Sequence, residues 1–174
     1  MNLTLDEQAL PFLITEQLRA ILTENVAEYG TGGGAVLDVL PCTRVWIASR
    51  DTELVGYAWL GAKRVSGVAL PVNYFSQAVL PLMRGQGVGQ SIREGVEGIL
   101  RKDGTDSLYV QVNGNKEEAG LRVRQRLLRS GYAVDRTQIT ESFVPHSLRS
   151  GLALMSDEEL VAEIFLPLHF RKAL

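Results

Sequence analysis

The hexapeptide Arg84-Gly85-Gln86-Gly87-Val88-Gly89 constrains this chain more than any other stretch. An apolar run from Tyr74 to Leu80 precedes it and reads as a strand. The segment from Val88 to Lys102 follows it and reads as an amphipathic helix, with Val88, Ile92, Val96, Ile99 and Leu100 on one face. A glycine-rich turn at the start of a helix bares several main-chain N–H groups in one direction. Those donors have no partner inside the helix, and the aligned peptide dipoles add partial positive charge there. Such a place suits an anion, and a diphosphate in particular. Glycine tolerates positive φ and carries no Cβ to obstruct a ligand.

The flanking residues separate the kinds of phosphate binder that use such a turn. A nucleotide P-loop needs Gly-Lys-Ser/Thr, whereas Gly89 is followed by Gln90 and Ser91. A dinucleotide fingerprint needs G-x-G-x-x-G and an acidic residue about twenty positions on, at the end of a second strand. Here Gly85, Gly87 and Gly89 fall at every second position, and Asp106 precedes a strand rather than ending one. A nicotinamide-nucleotide enzyme therefore stays as an alternative carried by the glycines alone.

The remaining pattern, from Val79 through Pro81 to Arg84-Gly85-x-Gly87-Val88-Gly89, resembles motif A of the GNAT superfamily of acyl-CoA N-acyltransferases. In that motif the order is strand, V-x-P-x-x-R-G-x-G-x-G, helix, and Val79, Pro81, Arg84, Gly85, Gly87, Val88 and Gly89 match it. The resemblance covers residues 40–135 best.

At 174 residues the chain is read as one domain, 1–174, with enough length for a sizeable core. Its apolar fraction of 45% is ordinary for a globular protein. A formal net charge of −2 implies no general attraction to nucleic acid. No apolar run reaches the ~20 residues that span a bilayer, so no membrane role is expected. The N-terminus shows no basic segment followed by an apolar one, so no secretory signal is read there. Cys42 is the only cysteine, which points to a cytoplasmic protein without an internal disulfide. His146 and His169 do not form a zinc pattern with it, and no metal is expected.

Along the chain, Thr4 to Tyr29 reads as helix, with a break or a start near Pro11. Thr31-Gly32-Gly33-Gly34 reads as a connector. Arg44 to Ser49 and Leu54 to Leu60 read as a hairpin turned at Arg50-Asp51-Thr52-Glu53. Gly61 to Leu70 has weak alternation, and Pro71 to Leu80 is the strand feeding the glycine turn. On the following helix Arg93, Glu97 and Arg101 stand four apart on the expected wet face. Ser107 to Val112 reads as a strand, and Asn115 with Glu118 reads as the start of a helix with Ala119, Val123 and Leu127 on one face. Tyr132 to Ile139 is read as a strand. Ser156 and Glu159 form a second capping box, and Pro167 leaves Ile164 to Phe170 open between helix and strand. The tail residues Phe165, Leu166, Leu168 and Phe170 suit either core or a homodimer interface. The element order implies a mixed α/β fold with a largely antiparallel sheet flanked by helices.

The GNAT resemblance implies more than the residues do alone. It implies a cleft where two neighbouring parallel strands, here Tyr74–Leu80 and Ser107–Val112, splay apart to take acetyl-CoA. Val79 and Leu80 would contact its pantetheine arm, and Arg84, Gly85, Gln86, Gly87, Val88, Gly89 and Gln90 its diphosphate. Asn113 and Asn115 would be polar contacts just past the second strand, Asn115 being also a helix cap. The main-chain N–H near Val79 would meet the thioester oxygen as it gains charge. The implied reaction moves an acetyl group to a primary amine of a small molecule or peptide. The chain departs from the family in one place. The helix that usually carries a proton-donating tyrosine has Leu127 there, and Leu127 cannot donate. Tyr109 is the replacement acid that strand position suggests, and an acyl-CoA-binding or sensing module without efficient turnover is the second reading. Other side chains weighed for the acid or base are Glu53, Tyr57, Trp59, Tyr74, Ser76, Gln77, Glu117, Glu118, Glu141 and His146.

Overall fold

The computed structural model describes residues 3–29, 42–61, 64–65, 68–69, 73–112, 118–139, 144, 146–164 and 167–174. Its contacts divide the chain into two compact units, Met1–Asp106 with Leu174, and Ser107–Ala173.

In the first unit, strand β1 (Leu3–Glu7) leads to helix α1 (Glu16–Tyr29) and then to strands β2 (Arg44–Arg50) and β3 (Glu53–Gly61). The short ladder β4 (Arg64–Val65) and β5 (Val68–Ala69) is antiparallel. Strand β6 (Tyr74–Val79) then feeds helix α2 (Val88–Lys102). The expectation of a helix from Thr4 fails at its beginning, because Leu3–Glu7 pairs with β2 from Leu3↔Arg50 to Glu7↔Trp46. The helix starts only at Glu16, where the Thr15 hydroxyl accepts from the Leu18 N–H. The β2–β3 hairpin closes through Asp51 and Thr52 at positive φ (49° and 73°), the twist that a tight hairpin demands. The four strands lie in the order β1-β2-β3-β6, all neighbours antiparallel.

Alternation along the strands splits their side chains between two faces. Val45, Tyr57 and Ala78 pack with Phe12, Leu18 and Ile21 under α1. The other face takes α2, whose Val88, Ile92, Val96 and Leu100 are buried. Two glycines let that helix lie close. A Cβ at Gly56 would sit 2.6 Å from the Ala78 carbonyl oxygen and 3.1 Å from Ile92 Cδ1, and one at Gly95 would sit 2.7 Å from Leu5 Cδ1. Arg93 and Glu97 do not lie on a wet face as their spacing suggested. They are 5% and 4% exposed and pair at 3.5 Å (Nε to Oε1), so the ion pair is inside the fold. At the surface Arg44 joins Glu7 on β1 and Asp103 at the end of α2, both at 2.6 Å.

The second unit contains β7 (Ser107–Val112), α3 (Glu118–Arg129), β8 (Ala133–Val134), the short α4 (His146–Arg149), α5 (Asp157–Glu163) and β9 (Leu168–Ala173). Its strands run β7-β9-β8, antiparallel throughout. The strand expected over Tyr132 to Ile139 shrinks to Ala133–Val134. Asp135 then caps a 3-10 turn, Arg136–Gln138, by accepting from the Thr137 N–H. The inner face of α3 also differs from the four-residue apolar repeat: Val123 is exposed, while Arg124 and Leu127 are buried. Arg124 donates to the Ile164 carbonyl, and burial lowers its pKa. At the open tail, Leu168–Ala173 is a strand whose Leu168 and Phe170 are core residues. Phe165, Leu166 and the glycine run 32–34 lie outside the described residues.

Candidate functional site

The turn between β6 and α2 has the anatomy that its sequence announces. Pro81–Met83 forms one 3-10 turn, and Arg84 through Gly87 then reverse the chain into α2. Gly85 and Gly87 take φ of 77° and 79°, the left-handed region where a side chain is strained. Among the described residues, a Cβ at either would meet nothing within 4 Å. Gly89 serves a different purpose. A Cβ there would lie 2.7 Å from Gln77 Nε2 and 3.4 Å from Val79 Cγ2, so its small size seats the first turn of α2 on β6.

Among the described residues, the main-chain N–H groups of Gly85, Gln86, Gly87, Val88, Gly89 and Gln90 meet no main-chain acceptor. The first helical bond of α2 is Ser91 N–H to Gly87 O at 3.0 Å. Gly87 is the cap residue and offers no side chain, and the first turn of α2 holds no acidic residue. Donors and dipole thus converge on an uncompensated positive end. The side chains nearby point their hydrogen bonds elsewhere: Gln86 Nε2 donates to Leu82 O and Gln90 Nε2 to Glu94 Oε1, both at 2.8 Å. Arg84 is exposed, and its Nε reaches back to the Val79 carbonyl at 3.4 Å.

The register of β6 places its main-chain groups. The Leu80 N–H donates to Val55 O at 3.0 Å. In an antiparallel ladder alternate residues face the same neighbour, so Leu80, Ala78 and Ser76 turn toward β3 while Val79 and Gln77 turn to the opposite edge. The Leu80 amide is therefore already engaged, whereas the Val79 amide is directed away from β3, on the side where Arg84 lies.

The remaining candidates disperse. Tyr109 stands on β7 opposite Arg171, whose guanidinium carbon is 5.7 Å from the ring centroid. Leu127 is 1% exposed and packed in the core. Tyr57 shares a 2.7 Å hydrogen bond with Thr15, Tyr74 is buried, and Trp59 packs against the α1 core. Ser76 is half-buried on β6, Glu53 opens β3 at the surface, Glu118 opens α3 and His146 opens α4. Asn113, Asn115, Glu117 and Glu141 lie outside the described residues. Among the described residues no group of three or more His, Cys, Asp or Glu is placed to hold a metal, and no helix is long and apolar enough to cross a membrane.

Gln77 also neighbours the turn, a proximity that its sequence position does not announce. Its trace there is a polar residue between Phe75 and Val79 on the strand face that receives α2.

No protein-family model matches this sequence, and no curated protein matches it as a sequence relative. Solved structures do match its fold. A protein assigned as an acyl-CoA N-acyltransferase from Klebsiella pneumoniae superposes with a TM-score of 0.55 at 17% identity, over 99% of this chain and 97% of that one. Escherichia coli ElaA gives 0.54 at 14% identity, over 98% and 99%. A GNAT family acetyltransferase from Elizabethkingia anophelis, with acetyl-CoA bound, gives 0.51 at 14% identity, over 99% of both chains. The chain has the GNAT fold, a mixed α/β architecture with a largely antiparallel sheet.

Proposed function

We propose that this protein, read as one domain over residues 1–174, is an acetyl-CoA-dependent N-acetyltransferase that acts on a primary amine of a small molecule or peptide. The observation that carries the reading is the row of main-chain N–H groups from Gly85 to Gln90 that, among the described residues, meets no main-chain acceptor, with open space at Gly85 and Gly87. A diphosphate carries the charge and the multiple acceptor oxygens such a row can bind. Acetyl-CoA has that diphosphate, and the Elizabethkingia protein of the same fold holds this ligand.

Acetyl-CoA, when bound, supplies an acyl group already activated as a thioester. The chain's part is to hold it and to manage charge. Gly85 to Gln90 grip the diphosphate through main-chain donors, with Arg84 adding positive charge at the rim. Val79, whose N–H is directed away from β3, is the donor proposed for the thioester oxygen. The acceptor amine must lose its proton to attack, since an alkyl ammonium has a pKa near ~10 in water. Leu127 can give no proton to the departing sulfur, and Tyr109 is the side chain proposed for that task.

Thiol release from acetyl-CoA across a panel of primary amines tests this reading. Saturable release with at least one amine is the expected result. A second reading, an acyl-CoA-binding or sensing module, rests on the buried Leu127. It predicts thermal stabilisation by CoA with no release for any amine. Stabilisation by NADH and not by CoA would sink both.

A further inference from the structure

The side chain of Gln77 is divided in an unusual way. Its Oε1 is buried and, among the described residues, meets no hydrogen-bond partner. The residue as a whole is only half-buried, and its Nε2 is not among the buried atoms that lack a partner. The carboxamide therefore hides its acceptor and presents its donor. That donor lies against the first turn of α2, 2.7 Å from where a Cβ of Gly89 would be. Helix starts call for the reverse arrangement, because a side-chain oxygen there would satisfy one of the bare N–H groups. Presenting an NH2 instead adds another donor to a place already crowded with them and leaves a buried carbonyl unsatisfied, which is destabilising. An anion seated on the turn relieves the crowding of donors, since it can accept from the main-chain groups and from the carboxamide N–H together; the buried Oε1 gains nothing from it.

We propose that Gln77 belongs to the anion seat: its Nε2 donates to the diphosphate of the ligand held by Gly85 to Gln90. The inference rests on the acyl-CoA reading of the turn and extends it to a side chain outside the glycine motif. It also gives Gly89 a second reason to lack a Cβ, because a methyl there would push the carboxamide out of reach.

The test measures the affinity of CoA, and of pantetheine, which lacks the diphosphate, by calorimetry on the full chain. Gln77→Leu keeps the size and removes the donor. CoA affinity should fall about tenfold, the effect of one hydrogen bond to a charged group. Pantetheine affinity should not change, and the melting temperature of the free protein should hold or rise as the orphan carbonyl disappears. Gln77→Glu, which replaces the donor with an anion, should weaken CoA further. Unchanged CoA affinity in Gln77→Leu, or an equal fall for CoA and pantetheine, overturns the proposal. A lowered melting temperature with CoA affinity intact also overturns it, making Gln77 a helix cap. If the unaltered protein binds no CoA, it is the acyl-CoA reading that fails, and this inference fails with it.

Discussion

Two helices in this protein begin in opposite ways. Helix α5 starts at a complete capping box: the Ser156 hydroxyl accepts from the Glu159 N–H at 3.2 Å, and the Glu159 carboxylate accepts from the Ser156 N–H at 2.6 Å. Asp157, Glu158 and Glu159 then set negative charge against the positive end of its dipole. Helix α2 has none of this, with a glycine at the cap, no acidic residue in the first turn and a run of N–H groups that meet no main-chain acceptor among the described residues. The sequence could cap a helix and did so at α5. With glycine at the cap, leaving α2 bare forgoes only about a few tenths of a kcal/mol of cap energy. One helix start is finished by the fold, and on the proposed reading an anion finishes the other.

The largest expected effect comes from closing the open start. Gly87→Trp places an indole over the seat and a side chain at φ 79°, and it should abolish the rise in melting temperature that CoA gives the unaltered protein. Thermal shift with and without saturating CoA reads this directly. If the shift survived, the seat would be elsewhere.

Next in size is Gly56→Ala, which acts on the platform beneath α2. The new methyl would stand 2.6 Å from the Ala78 carbonyl oxygen, a main-chain atom that cannot swing aside. Overpacking of this kind costs about 1–3 kcal/mol, to be measured by denaturant unfolding. CoA affinity should fall with it if the platform sets the position of the turn. Ser156→Ala, at the finished helix, should cost about 1 kcal/mol of stability and leave CoA affinity unchanged. A loss of CoA affinity in that variant would break the contrast between the two helix starts.

The smallest effect concerns the clamp at the far end of α2. The hydrogen bond from Arg44, with its charge, holds the Glu7 carboxyl below its ordinary pKa of 4.5. A lowered folded-state pKa adds stability above the unfolded value, and that contribution disappears as pH falls through the folded value. Stability below about pH 4.5 should therefore fall more steeply in the unaltered protein than in Glu7→Gln. Both carboxylates on Arg44 are about half exposed, so the difference should be modest. Parallel pH-dependent curves for the two proteins would remove the clamp from the account.

The two helix starts also show what a sequence reveals. The α2 turn and the α5 box were legible because each is a local pattern, with its spacing and residue types carrying the geometry. Strand β1 was not. Its five residues, Leu3–Glu7, carry three polar side chains, and their place is set by pairing with β2 some forty residues away. The spacing of Arg93 and Glu97 suggests a wet face because charged residues usually face water, but paired they are carried inside. Arg124 upset the apolar repeat of α3 in the same manner, its guanidinium held by a carbonyl forty positions on. At the site, the glycines were visible while the distinction among them was not. Gly85 and Gly87 serve backbone geometry and open space, and Gly89 serves the packing against Gln77. Only the fold brings Gln77 to the turn.

The central claim is that main-chain amides at the start of α2 hold the ligand. Titrating CoA into isotopically labelled protein and following backbone amide resonances tests it most directly. The account predicts that the N–H signals of Gly85, Gln86, Gly87, Val88 and Gly89 move furthest, and that those of Asp157 to Glu159 stay in place. Saturation by CoA with the largest shifts at another site, and the glycine-turn amides unmoved, would contradict it.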